Sequence, residues 1–232
     1  MLTHFNYNTT LGVLNFSYPN GHPQVGLLLL PLHHAYGLYG GIQRIFIGGK
    51  GILLKKFDQN AYLKTIQEYK IERISIVPSM ANFLAKSELV NKYDLSSVKS
   101  ISCGAAPLSD NIQHSVMKRL KVDSIRQGYG MTESTIAILV PPSNKENIPP
   151  GSSGCALPNI SIKIVDIDTG RSLGPMKAGE LWCRGDMVMK GYFNNPEATR
   201  NTIDEHGWLH TGDIAYYDHD CLFYIVDRLK EL

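Results

Sequence analysis

The chain has 232 residues, a length that fits one large domain or two small ones. Hydrophobic residues make up 43% and charged residues 19% of it, which excludes a disordered, collagen-like or disulfide-stapled protein. The 23 Lys and Arg residues nearly balance the 21 Asp and Glu residues, so nothing favours a nucleic acid or an acidic membrane as partner. The longest apolar run, Val25 to Leu30, is far shorter than the ~20 residues of a membrane span. We therefore expect a soluble chain without such a span.

Four cysteines lie far apart in the sequence and form no C-x-x-C pair and no metal-ligand spacing: Cys103, Cys155, Cys183 and Cys221. We expect free thiols in a reducing compartment. The first residues lack the basic and long apolar regions of a signal peptide, so the prediction is an intracellular, non-secreted protein.

The first 140 residues alternate apolar strand-like runs with helical patterns, which is typical of βαβ units around a mostly parallel sheet flanked by helices. Ser79 is the predicted N-cap of its helix. The predicted elements, in chain order, are a strand at 25–30, a helix at 36–46, a strand at 51–54, a helix at 60–69, a strand at 74–78, a helix at 79–87, a strand at 98–102 and a helix at 109–120.

The composition changes at residues 141–154, a stretch rich in Pro, Ser, Asn and Gly that has no hydrophobic period. We expect a boundary there between an α/β subdomain of residues 1–140 and a β-rich subdomain of residues 141–232. The second part favours a small antiparallel barrel or sandwich. Its predicted strands lie at 160–167, 179–184, 213–217 and 221–226.

The segment most informative about chemistry is Ser124-Ile-Arg-Gln-Gly-Tyr-Gly-Met-Thr-Glu-Ser-Thr135. Glycines on both sides of Tyr129 let the backbone approach a flat ligand, and Thr132 and Glu133 offer hard oxygen ligands. Mg²⁺ held between such oxygens and a phosphate is one interpretation. Taken alone, the same residues also fit an ordinary turn before a helix with Thr132 as N-cap.

Further motifs follow in order along the chain: Gly179-Glu-Leu-Trp-Cys-Arg-Gly, Gly191-Tyr-Phe-Asn-Asn-Pro-Glu-Ala-Thr, Gly207-Trp-Leu-His-Thr-Gly-Asp and Val226-Asp-Arg-Leu-Lys-Glu-Leu. The ordered series resembles the adenylate-forming (AMP-binding) superfamily, and the likeness extends over essentially the whole chain. The block Arg126-Gln-Gly-Tyr-Gly-Met-Thr-Glu133 and the segment Asn194-Asn-Pro-Glu-Ala-Thr look similar to beetle luciferases and to 4-coumarate and fatty-acid CoA ligases. The resemblance implies that the α/β sheet and the small β-barrel-like subdomain are part of the large N-terminal domain of such an enzyme.

The resemblance implies a nucleotide site with two walls around the adenine. Gly104, Ala105 and Ala106 would form one wall, and Gly128 and Tyr129 the other, because small residues permit close approach and the Tyr ring stacks. A tight strand-to-helix turn is the alternative interpretation of residues 104–106.

The resemblance also implies contacts to the rest of ATP. Asp213 would accept both ribose hydroxyls, because one carboxylate offers two oxygens to a cis-diol, whereas a solvated turn residue is the alternative. Arg228 would add a charge-assisted contact to ribose or phosphate. Thr132 and Glu133 would be the catalytic ligands of phosphate and Mg²⁺. Lys230 would lie in the hinge that leads to a C-terminal domain.

His34 and Tyr36 follow the first predicted strand, where the family places the junction of the acyl pocket and the thiol tunnel. The resemblance implies a catalytic, gating role for His34, and an acid-pocket wall made by Tyr36 and Gly128. The alternative is a pair of satisfied histidines, His33 and His34, that cap the end of a strand.

The implied reaction has two steps. The carboxylate of a small-molecule acid attacks the α-phosphate of ATP, which gives an acyl-adenylate and pyrophosphate, and a thiol, usually coenzyme A, then displaces AMP. Such chemistry needs positioning and neutralisation of charge more than a protein nucleophile. The implied cofactors are therefore ATP, Mg²⁺ and coenzyme A.

Two parts that the resemblance implies are not in the sequence: a Gly/Ser/Thr-rich phosphate loop before the Leu2-Thr3-His4 segment, and the C-terminal domain with its adenylation lysine. The favoured hypothesis is therefore the central piece of an acid-CoA ligase, inactive in isolation. The alternatives are a truncated, non-catalytic nucleotide- or acid-binding protein and a relative of the luciferase-type monooxygenases. The expected location is peroxisomal or cytoplasmic, although the chain ends in Lys-Glu-Leu and not in Ser-Lys-Leu.

Overall fold

The computed structural model describes residues 1–16, 24–142 and 148–229. The chain forms two compact units: Asn20–Gln127 is one, and Met1–Pro19 together with Gly128–Leu232 is the other. We call them the α/β unit and the β-rich unit. The subdomain boundary expected at residues 141–154, of which 143–147 lie outside the described part, stays a prediction.

The helices and strands follow one another as the hydrophobic periodicity predicts for most of the chain. The chain has two short 3-10 helices in its described part, Glu88–Lys92 and Thr132–Ser134. The other elements are α1 (His4–Phe16), β1 (Val25–Leu28), α2 (Ala35–Phe46), β2 (Lys50–Leu53), α3 (Gln59–Tyr69), β3 (Arg73–Ile76), α4 (Pro78–Lys86), β4 (Ser100–Cys103), α5 (Asp110–Leu120), β5 (Ile125–Gln127), β6 (Leu139–Val140), β7 (Cys155–Ala156), β8 (Ile160–Val165), β9 (Ser172–Leu173), β10 (Gly179–Gly185), α6 (Pro196–Thr202), β11 (Leu209–Tyr217) and β12 (Phe223–Arg228).

The α/β unit contains parallel sheets. β1 pairs with β2 in parallel, and β3, β4 and β5 form a second parallel sheet in that order. Its core includes Leu63 and Ile66 of α3, Ile74 of β3 and Ile101 of β4, each at most 1% exposed. Because β3, β4 and β5 are parallel, the loops that leave β4 and β5 start at the same edge of the sheet, which is where α/β sheets bind ligands. The predicted α/β class is confirmed.

The β-rich unit contains a five-stranded antiparallel sheet in the order β12-β11-β10-β8-β9. Its core is made of alternating residues of these strands, such as Ile164 of β8, Leu181 of β10 and Leu209 of β11, all fully buried. The pairing of β11 with β12 places Asp213 directly opposite Arg228. The predicted antiparallel second part is confirmed.

Helix α1 has no counterpart among the predicted elements. Its first turn is capped reciprocally, because Thr3 and Asn6 each accept a hydrogen bond from the backbone N–H of the other. The Asn6 side chain also donates to the carbonyl oxygens of Asp186 and Val188 at 2.7 and 3.0 Å. These bonds to residues 180 positions away hold the helix, and its own sequence carries no comparable signal.

The cap predicted for the helix after β3 is wrong. The helix begins one residue earlier, at Pro78, and Val77 is the N-cap without a side-chain hydrogen bond. Proline is well suited to a first helical position, since its fixed φ matches the helix and its missing N–H is not needed there. The helix thus begins with Pro78 at its first position and has no side-chain cap.

All four cysteines lie in the described part of the chain and are free thiols, as predicted. Burial raises the pKa of Cys103 to about 11 and that of Cys183 to about 12. Both thiols are therefore protonated and unreactive near neutral pH.

Within the described ranges, no helix is both long and apolar enough to cross a membrane.

A cluster of aromatic and cationic side chains covers part of the antiparallel sheet. The Lys163 ammonium lies 4.5 Å from the ring centroid of Trp182 and 4.3 Å from that of Trp208. The His210 imidazole stacks on Trp182 with centroids 3.6 Å apart. The chain has two tryptophans, and both belong to this cluster. Intrinsic tryptophan fluorescence therefore reports the packing of this sheet.

We expect Leu181→Ala to lower the free energy of unfolding by about 2–5 kcal/mol, because it opens a cavity beneath β10, where the side chain is 0% exposed. Urea unfolding followed by tryptophan fluorescence measures this loss. Val226→Ala is the control: Val226 is 57% exposed, and its truncation should cost less than about 0.5 kcal/mol. Equal effects of the two substitutions would contradict the assigned core.

Candidate functional site

The segment after β1 turns sharply into α2. His34 is the N-cap of α2, and its Nδ1 accepts a hydrogen bond from the backbone N–H of Tyr36 at 3.2 Å. A Cβ at Gly37 would collide with the carbonyl groups of Leu30 and Pro31, so only glycine allows this close approach. The exposed His34 therefore caps a helix and not a strand end, and its Nε2 is left as the second ring nitrogen available for chemistry.

The loop after β4 carries the small residues predicted to contact adenine. Gly104 lies against Tyr36, since a Cβ on it would be 3.2 Å from the Tyr36 ring. Ala105 has φ +74°, a left-handed conformation that is unusual for alanine, and Ala105 and Ala106 are both exposed. Backbone strain of this kind is concentrated at functional loops.

Gln127, to which sequence reasoning gave no role, fixes the end of the same loop. Its side-chain oxygen accepts from the backbone N–H of Leu108 at 3.1 Å, and its amide donates to Gln113 of α5 at 2.9 Å. The residue stands directly before Gly128 in the motif, which was the available signal. β5 thus holds the loop after β4 through one side chain.

The segment after β5 folds back on itself in the β-rich unit. The backbone N–H of Tyr129 donates to the Leu139 carbonyl at 3.0 Å, and the Tyr129 carbonyl accepts from Ile138 and Leu139. A Cβ at Gly130 would overlap the Ile136 carbonyl. The glycines of this motif therefore permit a tight loop that presents Tyr129.

The Tyr129 side chain meets the aspartate of the Thr-Gly-Asp motif. Its phenol donates to Asp213 Oδ2 at 2.5 Å, and Arg228 Nε donates to Asp213 Oδ1 at 3.1 Å. The Asp213 side chain is 8% exposed, whereas that of Arg228 is 68% exposed. Asp213 is therefore not a solvated turn residue but a buried carboxylate held from both sides.

The electrostatics of this cluster keep the phenol neutral. Burial, and then the negative charge of Asp213 and the hydrogen bond to it, raise the pKa of Tyr129 far above its usual value. The Tyr129 phenol therefore stays protonated and remains a hydrogen-bond donor to Asp213 at every physiological pH.

Glu180 supports the aspartate from the neighbouring strand, a role that sequence reasoning missed. Its carboxylate accepts from the backbone N–H of Gly212 at 2.9 Å and from the Trp182 indole at 2.6 Å. Gly212 has φ +70°, a left-handed conformation that glycine adopts without strain. Glu180 is the only acidic residue of β10, and its place in the Gly179-Glu-Leu-Trp motif was the available signal.

Thr132 and Glu133 lie in a short 3-10 turn. The cap is Met131 and not Thr132, because the Met131 backbone N–H bonds to the Ser134 hydroxyl at 3.1 Å. The turn is followed by Ile136 at φ +100°, a genuine outlier for a β-branched residue. Thr132 is exposed and Glu133 is half-buried.

The donors present in this turn fit a magnesium ion that is shared with a substrate phosphate. Mg²⁺ in such sites takes one or two protein oxygens and completes its shell with phosphate and water. Glu133 Oε1 accepts a hydrogen bond from Tyr192 at 2.8 Å, and no described residue bonds to Glu133 Oε2. Within the described ranges, no group of three or more His, Cys, Asp and Glu side chains forms a metal cage.

The structure thus gathers the predicted site residues into local groups. Tyr129, Asp213 and Arg228 form one group, and Tyr36 lies against Gly104. In the described part of the chain, Glu133 has no hydrogen bond to the first group. Lys230, the predicted hinge residue, lies outside the described residues.

The chain belongs to the AMP-binding enzyme family, whose model matches residues 1–193. It is an adenylate-forming enzyme domain by fold: ATP-bound MatB from Rhodopseudomonas palustris superposes on 100% of the chain with a TM-score of 0.91 and 27% identity, and 45% of that structure is covered. The resemblance drawn from the motifs is confirmed.

Curated relatives include both luciferases and CoA ligases. The chain is 47% identical over 206 residues to luciferin 4-monooxygenase of Nipponoluciola cruciata, which covers 89% of the chain and 37% of the relative. It is 41% identical over 235 residues to 4-coumarate–CoA ligase-like 9 of Arabidopsis thaliana, which covers 100% of the chain and 42% of the relative. The chain thus spans about two fifths of the length of these relatives.

We expect Tyr129→Phe to lower the free energy of unfolding by about 1.5–3 kcal/mol, because it keeps the ring but leaves the buried Asp213 Oδ2 without its donor. Thermal unfolding followed by tryptophan fluorescence measures the change. Tyr216→Phe is the matched control, since the Tyr216 ring stacks on Tyr224 and no described residue bonds to its phenol. A stability loss as large in the control would contradict the special role of the Tyr129 hydroxyl.

Proposed function

We propose that the chain is the nucleotide- and acid-binding part of an ATP-dependent acid–thiol ligase, which activates a carboxylic acid as its acyl-adenylate and transfers the acyl group to coenzyme A. The observation that carries this proposal is the buried Asp213 carboxylate between Tyr129 and Arg228. Membership of the AMP-binding family supports it. Because the chain spans about two fifths of its relatives, the complete reaction is proposed for a polypeptide that contains these residues.

The nucleotide is proposed to bind through its ribose at Asp213. A carboxylate has about four acceptor positions, so each oxygen of Asp213 can accept one ribose hydroxyl in addition to its present donor. Arg228, largely exposed, is close enough to the same carboxylate to add its charge to the ribose or the phosphate. Within the β-rich unit, adenine contacts are assigned to Gly128 and Tyr129.

Glu133 and the Thr132 hydroxyl are proposed to hold Mg²⁺ together with the phosphates. The ion, when bound, neutralises the charge that develops on the phosphate oxygens. The strained backbone at Ile136, directly after the turn, supports this assignment, because such strain is concentrated at functional sites. Glu133 is half-buried and Thr132 exposed, so both residues are at least partly accessible to solvent.

His34 is proposed to act in the thiol step, and Tyr36 to form a wall of the acid pocket. Nδ1 of His34 is engaged in capping α2, which fixes the orientation of the ring. The imidazole is exposed and so can meet an incoming thiol. The contact of Tyr36 with Gly104 ties the proposed acid pocket to the proposed adenine loop.

We expect Asp213→Asn to weaken AMP binding at least about ten-fold, because an amide offers one acceptor oxygen in place of two and carries no charge. Isothermal titration calorimetry with AMP measures the affinity. Asp166→Asn is the matched control, since Asp166 also holds a turn through hydrogen bonds but lies in an exposed loop. An unchanged AMP affinity in Asp213→Asn would refute the ribose assignment.

We expect His34→Ala to slow thioester formation much more than adenylate formation, because the imidazole is assigned to the second step only. ATP–pyrophosphate exchange and CoA-thioester formation over a panel of acids measure the two steps. His34→Ala also removes the cap of α2, so His34→Asn is the control that keeps a capping side chain. If both variants slow the two steps equally, His34 is not specific to the thiol step.

The identity to luciferin 4-monooxygenases favours a second candidate, a luciferase-type monooxygenase. Emission of light with luciferin, ATP and oxygen distinguishes a monooxygenase from a ligase, which forms a CoA thioester without emitting light. AMP binding with neither activity, in any polypeptide that contains the chain, would instead support a non-catalytic binding protein.

A further inference from the structure

The motif Gly191-Tyr-Phe-Asn-Asn-Pro-Glu-Ala-Thr has no role in the function proposed above, yet one of its side chains contacts a proposed magnesium ligand. The Tyr192 phenol donates to Glu133 Oε1 at 2.8 Å across 59 positions of sequence. Both residues are half-buried and belong to the β-rich unit. The bond leaves Glu133 Oε2 without a described donor, so one oxygen is oriented and the other is available.

The backbone of Tyr192 is held by the helix that follows it. Its N–H donates to the Thr199 hydroxyl at 2.9 Å, and that hydroxyl donates to the Asn195 carbonyl at 2.9 Å. Asn195 in turn caps α6 through Ala198 N–H at 3.0 Å. Three bonds thus fix the main chain at Tyr192 to the first turn of α6.

Gly191 is required for this anchor. A Cβ on it would lie 2.7 Å from Thr199 Cγ2 and 2.9 Å from Thr199 Oγ1, and its φ is +143°. A larger residue would therefore push Thr199 away from the Tyr192 N–H. The glycine, asparagine and threonine of the motif thus act together to fix the position of Tyr192.

The backbone of Glu133 is anchored nearby. Its carbonyl accepts from the Met189 N–H at 2.7 Å, and Thr135, two residues later, donates from its hydroxyl to the Met187 carbonyl at 2.7 Å. The main chain of the turn is thus joined to the segment that leads into Tyr192. With both backbones fixed, the phenol selects one conformation of the Glu133 side chain.

We propose that Tyr192 is a positioning residue that orients the Glu133 carboxylate for the metal–phosphate contact. This proposal rests on the proposed role of Glu133 as a magnesium ligand, and it adds Tyr192 as the residue that orients that ligand. A neutral phenol orients the carboxylate without cancelling its charge, which a lysine or arginine in the same place would do. A ligand that is already oriented loses less conformational entropy when the ion binds.

The test measures how much Mg²⁺ tightens ATP binding, as the ratio of the ATP dissociation constants in EDTA and in excess MgCl₂ by calorimetry. We expect Tyr192→Phe to reduce this ratio about three- to ten-fold and to leave AMP affinity in EDTA unchanged. A merely structural role would change the metal-free affinity as well. In a Glu133→Gln background, Tyr192→Phe should have no further effect.

Tyr224→Phe is the matched control, because the Tyr224 phenol also donates to a carboxylate, Asp218, at 3.0 Å in the same unit. Its ratio should equal that of the wild type. If Tyr192→Phe does not fold, Thr199→Val removes the anchor of the Tyr192 backbone and is expected to reduce the ratio in the same way.

The outcomes separate the two proposals. If Glu133→Gln abolishes the effect of Mg²⁺ but Tyr192→Phe keeps all of it, the positioning role is overturned and the metal role of Glu133 stands. If Mg²⁺ does not tighten ATP binding in the wild type, the metal role in the proposed function fails, and the positioning role fails with it. A loss in Tyr192→Phe that persists in the Glu133→Gln background also overturns the inference.

Discussion

The β-rich unit is organised around a buried negative charge. A carboxylate that is largely removed from water is costly unless donors replace its hydration. Asp213 meets this requirement with a phenol on one side and a guanidinium on the other, contributed by the loop after β5 and by β12. The exposed Arg228 adds little stabilisation, because its charge is screened by solvent. Tyr129 is therefore the partner that contributes most to stabilising the Asp213 carboxylate, and the tight glycine-flanked loop places its phenol there.

The glycines of the site act through close approach and through positive φ. Gly37 lets α2 begin directly against the carbonyl groups of the β1 loop, and Gly130 lets the Tyr129 loop fold back on Ile136. Gly212 and Gly191 adopt positive φ next to Asp213 and Tyr192. Each glycine thus stands one to three residues from a side chain with a proposed role. The glycine-containing motifs are short because each consists of one polar side chain and the backbone turn that orients it.

Much of the fold follows from local sequence. The apolar spacing of α3 predicts its bounds within one residue, and the runs at β3 and β4 predict theirs within two, since periodicity reports which face is buried. Helix α1 could not be predicted in this way, because it is held by Asn6 bonds to carbonyl groups 180 positions away. In the site, Asp213 and Glu133 stand out by motif, whereas Glu180 and Tyr192 act through contacts across 32 and 59 positions. Such partners are visible only in the folded chain.

Two carboxylates of the β-rich unit, Asp213 and Glu133, are each held by a tyrosine phenol. A phenol donates one directional hydrogen bond and remains neutral, as the raised pKa of Tyr129 and of Tyr192 ensures. The carboxylate keeps its full charge and most of its acceptor positions, so it can still bind hydroxyl groups or a cation. A lysine in the same place would satisfy the carboxylate and weaken it as a ligand. The pairing of tyrosine with acid therefore holds the carboxylate in one orientation and leaves its charge uncancelled, a property that suits the ribose and metal–phosphate contacts proposed for these two residues.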